Sequence, residues 1–268
     1  MDFSQSFILG AVQGITEFLP ISSDGHLVLG ELVLGLKTEF LKSFDVIAHI
    51  GTLLAILIYF RKDVWELINA FLGFFRLNFQ GPYAKLVLYI VVGTIPAVIA
   101  GVFFGDWIDE TFRNVKAVGT FMIISGIIYL LAEIFYKNYS GAGAEKSLSL
   151  RKSVVIGLAQ MFALLPGVSR SGSTITAGIF QGISRSEAAR FSFLLGVPAI
   201  LGAGIFTFMK SHAEFGTVIS YQSLAVGFFT SFIFGLLSIS FLMRFLKKYS
   251  LNIFALYMIV VGGFSVLN

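Results

Sequence analysis

Two polar runs decide how this chain is read: Pro20-Ile21-Ser22-Ser23-Asp24-Gly25-His26 and Pro166-Gly167-Val168-Ser169-Arg170-Ser171-Gly172-Ser173-Thr174. Each follows an apolar segment of helical length, and each is followed by another. Of the 268 residues, 56% are hydrophobic and 13% charged, and the mean hydropathy is +0.87. A soluble domain of this size carries about 25% charged residues. Long apolar runs, rather than the alternating ~10-residue strands of a barrel, point to a polytopic helical membrane protein. Polar and ionisable residues at membrane depth are costly and by default mark function.

Outward from the first run, residues 3–19 are apolar but hold Gln5, Gln13 and Glu17, and Pro20 ends them. Residues 27–36 form a second short apolar piece. Each is too short or too polar for a span of about 20 residues. Together they predict a re-entrant hairpin turning at Pro20–Gly25, a geometry tolerated only inside protein or beside a wet cavity. Spans are predicted at 44–60, 86–104 and 117–136, with an interfacial piece at 64–75. Residues 137–152, the most polar stretch, read as a linker. The second half repeats the plan: a hairpin over 153–182 turning after Pro166, then spans at 187–209, 222–244 and 251–267.

The halves match at an offset of 147 residues: Gly10, Gln13, Ser22, Gly25 and Phe44 align with Gly157, Gln160, Ser169, Gly172 and Phe191. An internal repeat follows. The first repeat is residues 1–136 and the second 153–268, within one integral membrane domain. Lys and Arg number four in 61–85, four in 137–152 and three in 244–248, whereas 106–116 is acidic and 210–221 holds one Lys. The positive-inside rule puts the first three segments in the cytoplasm and the last two outside. Both termini then lie outside, and the linker is cytoplasmic. Three spans per half give the halves opposite orientation. The predicted fold class is all-α: six transmembrane helices plus two re-entrant helical hairpins in an inverted-topology repeat. Such repeats bring broken-helix ends to a polar site near the midplane.

Composition excludes several chemistries. There is no Cys, so disulfide and thiolate chemistry are out, and three His, at 26, 49 and 212, do not make a His-rich metal centre. The net charge of +4 is loop charge that sets orientation rather than a nucleic-acid footprint. The start, Met1-Asp2-Phe3-Ser4, lacks a basic signal-peptide region, so the N-terminus is expected to stay on the protein.

The runs differ in chemistry. Arg170 offers a planar fork of donors suited to phosphate oxygens. Ser171, Ser173 and Thr174 open the following helix, whose free N–H groups and dipole favour an anion. Gly167 and Gly172 permit close backbone approach. The alternative is that small residues pack a helix turn with Arg170 at an interface. In the first run, Ser23 and His26 are three residues apart, and a hydroxyl beside an imidazole is an activated nucleophile in type. Glu17 and Gln13, at i and i+4, share a helix face. A carboxylate near a bound pyrophosphate suggests a bridging divalent cation or a general base, and Asp24 is a second cation candidate. The alternative here is capping by Ser22, Ser23 or Asp24 of a helix beginning near His26. Asp45 with His49, Glu133 with Lys137, and Glu187 with Arg190 read as structural contacts, and His212 as a solvated loop residue.

These runs resemble the signatures of a known family. Residues 13–26 match the first motif of undecaprenyl-diphosphate phosphatases of the bacitracin-resistance protein A type, (Glu/Gln)-x-x-x-Glu followed by Pro-x-Ser-Ser-x-Gly-His. Residues 166–174 match the second, Pro-Gly-x-Ser-Arg-Ser-Gly-x-Thr. The resemblance extends along the chain through Ser184-Arg185 and Phe191-Ser-Phe-Leu-Leu. It implies removal of the terminal phosphate of a C55 isoprenyl diphosphate. The released monophosphate lipid carrier returns to cell-wall synthesis, with bacitracin resistance as a consequence. It implies Glu17, Ser23, His26 and Arg170 as essential positions, with Ser169 and Thr174 supporting, a site open to the extracytoplasmic side, and Mg2+ or Ca2+ as cofactor. Position 24 is Asp where relatives often have Thr or Ser, so Glu17 and Asp24 become the candidate metal ligands.

The expected reading is a multi-pass cell-membrane phosphatase. Ser23 is the first choice of nucleophile with His26 as its base or acid, and His26 itself is the rival nucleophile. Arg170, Ser169, Ser171, Ser173, Thr174 and Gln13 bind substrate. The expected partners are the lipid substrate and the bilayer, with a homodimer allowed and nucleic acid excluded. The competing reading is a transporter or flippase of a phosphorylated lipid or other anion, which needs the Arg but no Ser–His pair.

Overall fold

The computed structural model describes residues 1–36, 42–75, 80–139, 148–211 and 219–267, and is built from eleven helices among them. They are α1 (Phe3–Phe18), α2 (Ser23–Val33), α3 (Lys42–Tyr59), α4 (Arg61–Phe74), α5 (Pro82–Phe112), α6 (Val115–Tyr139), α7 (Leu150–Phe162), α8 (Arg170–Phe180), α9 (Arg185–Ser211), α10 (Tyr221–Phe245) and α11 (Asn252–Leu267). Most of the predicted linker (140–147) and His212 lie outside the described residues.

Four helices are long and apolar enough to cross a bilayer: α5, α6, α9 and α10. A fifth candidate is α3 with α4, bent by 88° at Phe60. The gap between the predicted span at 44–60 and the interfacial piece at 64–75 is therefore a corner, and α4 buries no residue, as an interfacial helix would. The last apolar helix, α11, is shorter, at 16 residues. Along α5 the side chains of Leu88, Val91, Ile95, Val98, Val102 and Phe103 are exposed. In water such a face would be an aggregation surface, and lipid is the solvent that suits it. The chain is an integral membrane protein.

The two short-helix pairs are α1–α2 and α7–α8. Leu19 is extended before Pro20 (φ −64, ψ 139), as the residue preceding proline prefers. Ser22 takes the left-handed conformation (φ 70) and caps α2 by accepting from the Gly25 amide at 3.3 Å. Ser169 caps α8 in the same way, from Gly172 at 3.1 Å. The capping reading of the first run is thus borne out at Ser22, and α2 begins at Ser23, three residues before His26.

Small residues let helices touch by backbone. A Cβ on Gly10 of α1 would lie 2.8 Å from the Gly227 carbonyl of α10, and one on Gly157 of α7 would lie 2.3 Å from the Gly93 carbonyl of α5. Gly119 of α6 and Gly262 of α11 oppose each other in the same manner. Each short first helix therefore packs on a long helix of the other half: α1 on α10, and α7 on α5. The tips of the two pairs also meet. A Cβ on Gly25 would sit 3.4 Å from the Gly167 Cα, and one on Gly172 would sit 3.1 Å from the Pro20 Cβ. The Ser171 hydroxyl donates to the Leu19 carbonyl at 3.3 Å.

Candidate active site

Where the tips meet, one carboxylate collects partners from both. Glu17 lies in the last turn of α1 and is 6% exposed. Its Oε1 accepts from Nη2 of Arg170, the first residue of α8. Its Oε2 accepts from the Ser23 hydroxyl at 2.7 Å and from the Gln13 amide at 3.0 Å. The helical spacing of Gln13 and Glu17 puts both on the face that looks at the turn. Residues 153 positions apart in the chain thus form a buried ion pair with a hydroxyl on its other oxygen.

Neighbours in α9 hold Arg170 in place. Its Nη1 donates to the Ser192 carbonyl at 3.4 Å. A Cβ on Gly196 would fall 2.1 Å from that same Nη1, so only glycine leaves room for the guanidinium. Thr174 donates to the Arg170 carbonyl at 2.8 Å, and its hydroxyl lies 2.6 Å from that of Ser192. Ser169, Ser171 and Thr174 are buried, and their hydroxyls go to the α8 cap, to Leu19 and to α9. They act on position rather than at an open surface. Ser173 is half-buried one turn into α8.

His26 sits differently from the expected hydroxyl–imidazole pair. Its Nδ1 is 2.8 Å from the Ser22 carbonyl, and its Nε2 is 2.8 Å from the Tyr257 hydroxyl of α11. The two rings stack at 5.6 Å with an 11° tilt. The Ser23 hydroxyl meanwhile donates to Glu17. The structure brings Ser23 to the carboxylate and ties both nitrogens of His26 elsewhere.

A cavity of about 310 Å³ opens beside this cluster, lined by Glu17, Ser23, Asp24 and Arg170. Apolar residues including Val28, Leu164, Ala199, Ile200 and Ala203 line it as well. Four further ionisable residues, read from sequence as structural or as loop charge, also line it: Asp45, His49, Asp109 and Arg113. The i, i+4 contact of Asp45 with His49 is present, but through the backbone: His49 Nδ1 donates to the Asp45 carbonyl at 2.7 Å. That fixes the ring, and His49 Nε2 lies 3.6 Å from Glu17 and 3.7 Å from Asp24. The Asp45 carboxylate turns the other way and accepts from Arg113 at 2.8 Å. Glu31 lies 3.9 Å from Arg113, with both carboxylate oxygens buried and without a hydrogen-bond partner.

The other charged residues singled out are structural. Glu133 pairs with Arg185 of α9 rather than with Lys137, and also accepts from the Leu251 amide at 2.9 Å. Arg185 lies 4.0 Å above the Tyr136 ring. Arg190 contacts Glu187 at 3.4 Å and pairs with Asp63 at the foot of α4.

Among the described residues, no group of three His, Cys, Asp or Glu side chains converges as a metal cage. Glu17 and Asp24 do line one cavity and flank one imidazole. That donor set fits a hard divalent cation held by one or two carboxylates together with substrate phosphate oxygens.

The sequence pattern of the family described as bacitracin resistance protein BacA matches residues 6–264. Curated proteins named undecaprenyl-diphosphatase are similar along nearly the whole chain. The protein of Methanosphaera stadtmanae is 41% identical, over 100% of this chain and 98% of its own. That of Korarchaeum cryptofilum is 40% identical, over 98% and 97%. That of Thermodesulfovibrio yellowstonii is 44% identical, over 94% and 92%.

Proposed function

The chain belongs to the BacA family, and on that premise we infer that it is a membrane undecaprenyl-diphosphatase. It hydrolyses the lipid diphosphate to the monophosphate plus phosphate, recycling the carrier for cell-wall synthesis, and bacitracin resistance follows from the same activity. The observation that carries the reading is Glu17, which joins Arg170 of one hairpin to Ser23 of the other inside a membrane-protein cavity.

The residues divide the work as follows. Arg170 and the N-terminus of α8 hold the terminal phosphate. Ser23 attacks it: the Oγ–P bond forms, the P–O bond to the lipid phosphate breaks, and the Ser23 proton passes to Glu17 over their 2.7 Å hydrogen bond. Water then attacks the phosphoserine. The P–Oγ bond breaks, Glu17 returns its proton to Ser23, and phosphate leaves. His26, through the Ser22 carbonyl, holds the tip that carries Ser23, and it remains the rival nucleophile. A Mg2+ or Ca2+ ion would be held by Glu17 and Asp24 with the diphosphate, and would neutralise phosphate charge.

The finer architecture belongs to the same proposal: six spans and two re-entrant hairpins in an inverted repeat. The crossed packing of α1 on α10 and α7 on α5, with Gly10 and Gly157 in matching places, supports it. The charge pattern supports a site facing outward and both termini outside.

Enzyme that has met substrate labelled in its terminal phosphate, quenched in denaturant at mildly alkaline pH where phosphoserine and phosphohistidine both survive, tests the chemistry. Label recovered on the Ser23 peptide, and lost in Ser23→Ala, is the expected result. Label on the His26 peptide assigns the nucleophile to His26 and overturns the Ser23 assignment. A carrier-transport reading, favoured by the repeat alone, predicts no covalent adduct.

A further inference from the structure

The diphosphate has two phosphate groups, and the cavity wall has two guanidiniums. Arg170 stands at one end and Arg113 lines the same cavity. A chain of contacts joins them: Arg170 to Glu17, Glu17 to His49 at 3.6 Å, His49 to the Asp45 carbonyl at 2.7 Å, and Asp45 to Arg113 at 2.8 Å. Arg113 belongs to neither polar run, and only the fold brings it to the site. Its side chain is 23% exposed, enough to reach the cavity yet shielded enough for charge to count. Asp45 occupies Nη2, while the Arg113 Nε is buried without a hydrogen-bond partner. A guanidinium has five N–H donors, so this fork has donors to spare.

We propose that Arg113 is a second phosphate-binding residue, which takes the lipid-linked phosphate while Arg170 takes the terminal one. This rests on the phosphatase reading above. When substrate enters, Arg113 exchanges part of its contact with Asp45 for phosphate oxygens, and Asp45 is the counter-ion that holds the fork ready beforehand. The arrangement favours a diphosphate over a single phosphate, because a diphosphate offers one phosphate group to each guanidinium.

Inhibition of the purified enzyme by inorganic pyrophosphate and by inorganic phosphate tests this. Arg113→Gln is expected to weaken pyrophosphate inhibition about tenfold or more, the scale of one charge-assisted contact, and to leave phosphate inhibition within about twofold. Asp45→Asn releases the fork and is expected to keep or strengthen pyrophosphate inhibition. Unchanged pyrophosphate inhibition in Arg113→Gln overturns the proposal. So does a parallel loss of both inhibitions in Arg113→Gln and Asp45→Asn, which is what a purely structural ion pair predicts. A wild-type protein that neither hydrolyses the lipid diphosphate nor responds to pyrophosphate removes the phosphatase reading itself, and this proposal with it.

Discussion

Removing Arg170 while leaving Glu17 puts the sharpest strain on the site. The Glu17 side chain is 5% exposed and that of Arg170 16%, so neither is well solvated. Breaking such a pair from one side costs about 3–5 kcal/mol, because the remaining charge is buried without its partner. Gln13 and Ser23 still donate to Glu17 in the variant, which places Arg170→Ala near the low end, about 3 kcal/mol. At roughly 2–4 °C per kcal/mol for a chain of this size, the midpoint should fall by roughly 6–12 °C. Glu17→Gln combined with Arg170→Ala removes both charges and should recover most of that loss. Activity should follow a different rule. Each single variant should lose about 100-fold or more in kcat, the scale of a lost transition-state donor, and the double variant should recover none of it. The assay is a thermal melt in detergent beside phosphate release. A melting point for Arg170→Ala within about 2 °C of wild type would refute the buried-pair reasoning. So would a double variant destabilised by the sum of the singles.

Other outcomes follow from separate parts of the structure. Gly157→Ala forces a Cβ to 2.3 Å from the Gly93 carbonyl, and overpacking of this kind costs about 1–3 kcal/mol. Gly202→Ala meets nothing within 4 Å, so its melting point should hold or rise, and equal melts for the two would contradict the α5–α7 packing. Arg185→Ala strips Glu133 of its guanidinium and leaves the Leu251 amide. It should lower the melting point while kcat per folded molecule stays near wild type, and a selective loss of kcat would move Arg185 into the site. Chelation by EDTA should abolish turnover and Mg2+ or Ca2+ restore it, with Asp24→Asn needing several-fold more cation. Turnover that ignores chelation would remove the cation from the account.

Much of this site is local and therefore legible in sequence. Pro20 ends the first apolar segment because proline lacks an amide and restricts its predecessor, whereas α7 already stops at Phe162, four residues before Pro166. Ser22 and Ser169 cap because a serine oxygen satisfies the first free amides. The Gln13–Glu17 spacing places both side chains on one face. The parts that were not legible depend on tertiary approach. Arg113 and Asp45 meet across 68 residues, and Glu133 and Arg185 across 52. No local period reports such pairs. The i, i+4 spacing of Asp45 and His49 was a true local signal, but it could not show that the two side chains turn to different partners. His26 is the converse case. Its spacing from Ser23 suggested a reacting pair, while the left-handed Ser22 turns the ring toward Tyr257.

The most direct test is phosphate release from C55 diphosphate by the purified protein in detergent. The wild-type chain is expected to release one phosphate per lipid and leave the monophosphate, and Arg170→Ala is expected to lose at least about 100-fold of that rate. Full activity in Arg170→Ala, or no phosphate released by the wild-type protein, would contradict the account.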